Sequence, residues 1–228
     1  MKLDVNLTDS INYVQLLFAD FGKLLLLIIL DIIPIVNLVV VGYLGNVIKV
    51  PKDSKQLPPL ENYIDLWIQG LKIVFTSIIF MIIPFVLTVP FIALLVVSWI
   101  TIPPFLPTVG WVLAALLLLV GVLLAFFLAI VLSMAIVNML KKASFSEAFS
   151  FGDILTIIKK IGWGSYLVWL LVIFICSVIV SAIGSIPFVG WLLSLAIAPI
   201  FGVFVARSVS LIYLEGTATE ETEPKETV

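Results

Sequence analysis

The sequence predicts an all-α integral membrane protein of about six membrane helices, arranged as three hairpins. Three observations carry that prediction. Of 228 residues, 63% are hydrophobic and only 11% charged, whereas a soluble domain averages about 45–50% apolar and about 25% charged. The apolar runs exceed the roughly 18 residues that mark a membrane helix. The charges gather at 2–23, 49–72, 141–160 and 207–226, with Asp31 the sole exception. A closed β-barrel is the other way to span lipid, but barrels show short alternating segments and these runs are continuous.

The first element is the stretch LLLLIILDIIPIVNLVVVG, from Leu24 to Gly42. It is long enough for one span, yet Asp31 and Pro34 sit near its middle. Charge zoning argues for two helices with a turn at Pro34. A single span would put residues 1–23 and the lysines of 49–55 on opposite faces. With hairpins, every charged zone lies on one face. The positive-inside rule makes that face cytoplasmic, carried by Lys49, Lys52, Lys55, Lys72, Lys141, Lys142, Lys159 and Lys160. Both termini are then cytoplasmic. From Lys23 to Pro34 there is room for only about 16 Å of helix, roughly half of a ~30 Å hydrocarbon core. The first membrane helix spans only if it starts near Ile11, with Asp20 and Lys23 buried as a pair; otherwise the first hairpin is re-entrant.

The three hairpin tips read PIVN at 34–37, PTVG at 107–110 and PFVG at 187–190, the last two followed by Trp111 and Trp191. Proline ends or opens a helix, glycine and asparagine tolerate turn conformations, and tryptophan favours the interface. Together they make a weak internal repeat. The second hairpin is over-long and is expected to tilt. Its first helix should kink at Pro84 and Pro90, freeing the carbonyls of Phe80 and Val86.

An amphipathic segment precedes each hairpin. In ENYIDLWIQGLK, Ile64, Trp67, Ile68 and Leu71 face Glu61, Asp65, Gln69 and Lys72. In EAFSFGDILTIIKKIG, Phe151, Ile154, Leu155 and Ile158 face Asp153, Thr156 and Lys160, after a capping-box pattern at Ser144 and Glu147. A looser stripe runs through Leu7, Ile11, Val14, Phe18 and Phe21. Such helices lie in the interface plane or pack on the ends of a bundle. The expected organisation is one membrane domain, 1–215, in hairpin units of about 1–50, 58–142 and 144–215. The acidic tail 216–228 is expected to be disordered.

Small residues recur at every fourth position in the last three membrane segments: Gly121, Ala125, Ala129 and Ser133; Ser177, Ser181 and Ser185; Ser194, Ala198, Gly202, Ala206 and Ser210. Such faces let membrane helices approach closely. A tight core of these three helices is expected, with Val203 off the packed face. A serine-lined polar path is the functional alternative.

Little chemistry is available. There is no histidine, the commonest metal ligand and general base. The one cysteine, Cys176, excludes an internal disulfide. No phosphate-binding loop, zinc spacing or nucleophile elbow occurs, and GYLGNV around Gly42 and Gly45 is apolar helix. No small-residue cleavage site follows the first apolar run, so a signal peptide is not expected. The net charge of −2 points away from nucleic acid. Asp31 is the one candidate for intramembrane chemistry, because a charge deep in lipid costs at least ~2.5–3.5 kcal/mol. The plainer reading places it in the far headgroup region, one turn from Pro34. Asp65 and Asp153 are candidates for caps or partner contacts, and Arg207 is expected to snorkel.

The run IPIVNLVVVGYLGNVIKVPKDSKQLPPLENYIDLWIQGLK, continued through KKASFSEAFSFGDIL, resembles an uncharacterised archaeal and bacterial membrane family. That family is number four thousand and thirteen in the domain-of-unknown-function series. The resemblance rests on Ile33-Pro34, Gly42-Tyr43, the basic end of the second helix, and the Leu-Pro to Asp-Leu approach at 57–66. It implies a multi-pass protein of a prokaryotic cell membrane and carries over no activity or site residue. The expected function is non-enzymatic and cofactor-free: binding or organising membrane lipids, a protein partner or a second copy at the cytoplasmic face. The competing expectation is a small transporter or channel using Asp31 and the kinked third helix.

Overall fold

The structure, a computed structural model, describes residues 3–101 and 108–218. Pro107 of the second expected turn, the side chain of Trp111 and the expected tail beyond residue 218 lie outside the described residues. The described residues are helical and turn structure without strands. The helices are α1 (Leu3–Ala19), α2 (Phe21–Ile32), α3 (Leu38–Lys49), α4 (Tyr63–Thr101), α5 (Thr108–Lys141), α6 (Phe151–Ile161), α7 (Trp163–Gly184) and α8 (Gly190–Ala218). A 3-10 segment, Phe145–Phe149, precedes α6. Residues 216–218, assigned to the tail by composition, close the last turn of α8 instead.

Four helices are long and apolar enough to cross a membrane: α4, α5, α7 and α8. A fifth crossing exists only if α1 and α2, bent by 95° at Asp20, count as one span. The described residues thus hold four or five candidate spans where about six were expected, and the difference is one of length. Helices α2 and α3 have 12 residues each, about 18 Å at 1.5 Å per residue. Asp20 marks the bend: its carboxylate accepts from Lys23 N at 3.1 Å and pairs with Lys23 Nζ at 3.1 Å.

The chain forms two compact units, one drawn from the chain up to Ile73 and from Met134 onward, the other Val74–Ser133. Their limits fall inside α4 and α5.

In the first unit α8 is the axis, packed against α1, α2, α3, α6 and α7. Gly202 faces Leu44, whose Cδ1 would lie 2.7 Å from a Cβ there, and Ala206 is buried. Ala198 and Ser181 are exposed. Val203, expected off the packed face, is fully buried. The partners of α8 surround its C-terminal half, so burial there covers more than one face.

Helix α1 departs from the apolar stripe read from its sequence. It buries Asn6, Ser10, Tyr13, Val14 and Leu17 and leaves Val5, Ile11, Phe18 and the following Phe21 exposed. Apolar side chains pointing outward around a polar interior suit a lipid surrounding. Helix α6 buries Ile154, Ile157, Ile158 and Ile161, a stripe rotated from the expected one, with Phe151 exposed. It packs on α8, with Ile157 and Ile161 against Gly216. The segment 61–72 is not a separate helix, because α4 begins at Tyr63 and continues through it.

Helix α3 crosses the first turns of α4 where both carry glycine. A Cβ at Gly42 would collide with the Leu66 carbonyl, and one at Gly70 with the Leu38 carbonyl. The turn 34–37 lies beside the same turns, since Trp67 Nε1 donates to the Ile35 carbonyl at 2.9 Å. The tip of the α2–α3 hairpin is thus next to the start of α4, not at its far end. The turns at 34–37 and 187–190 have like geometry. Ile35 and Phe188 are left-handed, with φ of 72° and 66°. The carbonyl before each proline accepts from the amide four residues on, at 3.0 Å from Asn37 and 2.8 Å from Gly190.

The second unit holds α4 from Val74 onward and α5 up to Ser133. Helix α4 runs unbroken through positions 84 and 90, and Thr88 Oγ1 donates to the Pro84 carbonyl at 2.8 Å. Gly121 faces Thr88, Leu128 is buried, Ala125 is half-buried, and large side chains such as Phe85, Val86 and Phe126 are exposed.

Candidate functional site

The polar groups of the first unit converge on RSVSLIY, residues 207–213 of α8. Arg207 does not snorkel. It is 1% exposed, and its Nε donates to Asp9 Oδ2 at 2.8 Å. Nη1 donates to the Pro51 carbonyl at 3.1 Å and Nη2 to the Lys52 carbonyl. The guanidinium stacks 4.7 Å from the centre of the Tyr13 ring. A partner 198 residues away in sequence outweighs the pull of the interface.

Ser208 binds Asn6 twice: Asn6 Nδ2 donates to its carbonyl at 3.0 Å, and its hydroxyl donates to Asn6 Oδ1. The same hydroxyl accepts from Trp169 Nε1 at 2.8 Å. Ser210 Oγ donates to the Ile48 carbonyl at 2.6 Å. Tyr213 donates to Asn138 Oδ1 at 2.8 Å, and Asn138 Nδ2 donates to the Glu147 carbonyl at 2.8 Å. Four side chains of α8 thereby fasten α1, the 48–52 segment, α7 and the end of α5. Buried polar groups that are satisfied in this way specify a single packing.

Beyond Asn138 lies an ionic clip. Lys142 Nζ is 2.8 Å from Glu147 Oε2 and 2.7 Å from Asp153 Oδ2. Hydrogen bonds to Asp153 and then Glu147 hold the Lys142 ammonium above the ordinary lysine range. The bond from Lys142 holds Glu147 below the carboxylate range. Glu147 is thus committed to Lys142, and no side-chain cap bond forms at Ser144; the ammonium displaces the expected capping box.

A polar cleft of about 290 Å³ opens next to the clip. Lys49, Asp65, Gln69, Lys72 and Ser144 line it, with Ile68, Met139, Leu140 and Phe145 as apolar wall. It lies where the end of α3, the first turns of α4 and the last turn of α5 meet. Gln69 is held by the crossing of α3 and α4: its Nε2 donates to the Gly42 carbonyl at 2.6 Å and to Asn46 Oδ1 at 2.9 Å. That orientation turns Oε1 toward Lys49, which donates to it. Partial burial, and then Lys72 beside it, hold the Lys49 ammonium below the usual lysine range.

Of the three aspartates singled out by sequence, Asp65 lines the cleft and Asp153 joins the clip. Asp31 belongs to neither; it is half-buried near the end of α2. Among the described residues, no group of three or more acidic or cysteine side chains is placed to hold a metal.

This is a helical protein whose polar chemistry gathers at one end of its long apolar helices. Residues 25–189 match the family described as protein of unknown function DUF4013, and the chain belongs to that family. No curated protein and no solved structure matches it.

Proposed function

We propose that the chain is a non-enzymatic, multi-pass protein of the cell membrane that binds lipid or a protein partner at its cytoplasmic end. Helices α4, α5, α7 and α8 cross the bilayer. Helices α1, α2, α3 and α6 form a collar around the cytoplasmic half of α8. The observation that carries this reading is the position of the Pro34 turn beside Trp67. It supports a first hairpin that stays within the collar, and four crossings then leave both termini on the side of the charged zones. The positive-inside rule supports the cytoplasm as that side. The cleft between the end of α3 and the polar ends of α4 and α5 combines cations, hydrogen-bonding groups and an apolar wall.

The transporter alternative draws less support. Helix α4 is unbroken at both prolines, and Asp31 lies near the end of the short helix α2, not on one of the long helices. The test is cysteine accessibility in intact cells, after Cys176→Ser. Ser54→Cys, Ser146→Cys and Thr219→Cys should all resist an impermeant reagent and react after permeabilisation. Labelling of Ser54→Cys from outside would overturn the collar assignment.

A further inference from the structure

We propose that the cleft lined by Lys49, Lys72, Gln69 and Ser144 holds the phosphodiester of a membrane lipid headgroup. This rests on the reading of the charged end as a binding face, and it names what binds.

Charge comes first. Two ammonium groups face one carboxylate, Asp65, so the lining carries a net +1. A phosphodiester carries one negative charge and balances it at every pH near neutrality, whereas free phosphate is there a mixture of monoanion and dianion. The partner of Lys49 is a neutral amide, Gln69, not a carboxylate. Lys72 lies close enough to lower its proton affinity, and an anion between the two relieves that repulsion. Gln69 is fixed by its bonds to the Gly42 carbonyl and the Asn46 side chain of α3, so the Lys49 head is held at the opening.

The wall decides the source. Ile68, Met139, Leu140 and Phe145 make half of the lining apolar. The cleft also sits at the polar ends of α4 and α5, both of membrane length. A soluble phosphate gains nothing from an apolar wall, whereas a glycerol backbone and the first acyl carbons do. Lysine suits a phosphate as a movable point charge.

The test uses the full chain in a maltoside detergent, with binding read by native mass spectrometry and by the thermal unfolding midpoint. The probe is dihexanoyl phosphatidylglycerol below its micelle concentration. It should bind the wild type and Lys55→Gln alike, and bind Lys49→Gln/Lys72→Gln at least five-fold more weakly. Lys49→Arg/Lys72→Arg should retain binding, which separates lost charge from lost folding. Equal binding by wild type and the Gln pair overturns the proposal, as does an equal shift with inorganic phosphate or a tighter complex with an acidic peptide. Any of these leaves the collar topology standing, since cysteine labelling tests that independently.

Discussion

At the scale of single residues, Arg207 and Gly42 bear the sharpest consequences. Replacing Arg207 by Lys keeps the charge but removes the fork that reaches Asp9 and two carbonyls together. Lysine cannot reproduce bidentate, stacked geometry. Leaving the Pro51 and Lys52 carbonyls without their donor should cost about 1–3 kcal/mol, read as a lower unfolding midpoint in detergent. Asp9, 42% exposed, stays solvated and adds little. Gly42→Ala puts a methyl into the Leu66 carbonyl, and backbone cannot yield as a side-chain end can. A loss on the order of 3 kcal/mol is expected. Gly152→Ala, with nothing within 4 Å, is the matched control and should be neutral. Gly202→Leu should fall between them, because its neighbour is the flexible end of Leu44.

Neither position shows its role in the sequence. Arg207 stands near the end of a long apolar run, where the local rule is snorkelling, and only a contact with α1 makes it a buried anchor. Gly42 reads as one more small residue in apolar helix. The small-residue ladders were visible as patterns, but a four-residue spacing cannot say which helix comes to meet it. The glycines at the tightest crossing, Gly42 and Gly70, lie off those ladders.

At the scale of elements, the clip of Lys142 with Glu147 and Asp153 ties the end of α5 to the 3-10 segment and α6. Its pH dependence has a definite sign. The lowered Glu147 contributes stability above its unfolded pKa and loses it as pH falls through the folded value. The raised Lys142 contributes below its unfolded pKa and loses it only as pH climbs past the folded value. The clip is therefore whole across neutral pH. The midpoint difference between wild type and Lys142→Gln should be small, constant from about pH 6 to 9, and vanish below about pH 4. A difference persisting in acid would point to packing, not charge.

Elements were legible where a breaker stood in the right place. Pro34 and Pro187 open turns of shared left-handed geometry, and the apolar runs foretold the long helices. Between Gln69 and Phe75 no proline stands, and Gly70 serves the crossing with α3 without ending the helix, so the amphipathic segment propagates into α4. The stripe of α6 was found but rotated, because its burial is set by α8. The cleft was not legible at all. It needs residues 49, 65–72 and 139–145 side by side, and no local pattern brings them together.

At the scale of the whole molecule, the number of crossings decides what Asp31 can be. If the proposed collar hairpin holds, Asp31 lies on the charged side, and the sequence carries no Asp, Glu, Lys or Arg at 73–140 or 161–206 to continue a path from it. Asp31→Asn should therefore leave both the unfolding midpoint and proton permeability unchanged in liposomes carrying a proton-sensitive dye. A proton flux that the substitution abolishes would overturn the binding reading and establish transport. Helix α4, at 39 residues, is about 58 Å long, nearly twice a hydrocarbon core of ~30 Å. Its first turns, packed beside α3, supply Asp65, Gln69 and Lys72 to the cleft.

The buried anchors on α8 also impose an order of events on synthesis. Helices α1, α2, α3, α6 and α7 leave the ribosome before the segment that fastens them exists. Asn6 waits for Ser208, 202 residues later, and Asp9 waits for Arg207. Until then the polar stripe of α1 has no mate and must stay hydrated at the membrane surface. The nascent chain is thus a set of inserted but unlatched helices, and arrival of one late heptad closes them together. Only once this heptad has emerged do α1, α3, α5 and α7 meet their polar partners on α8.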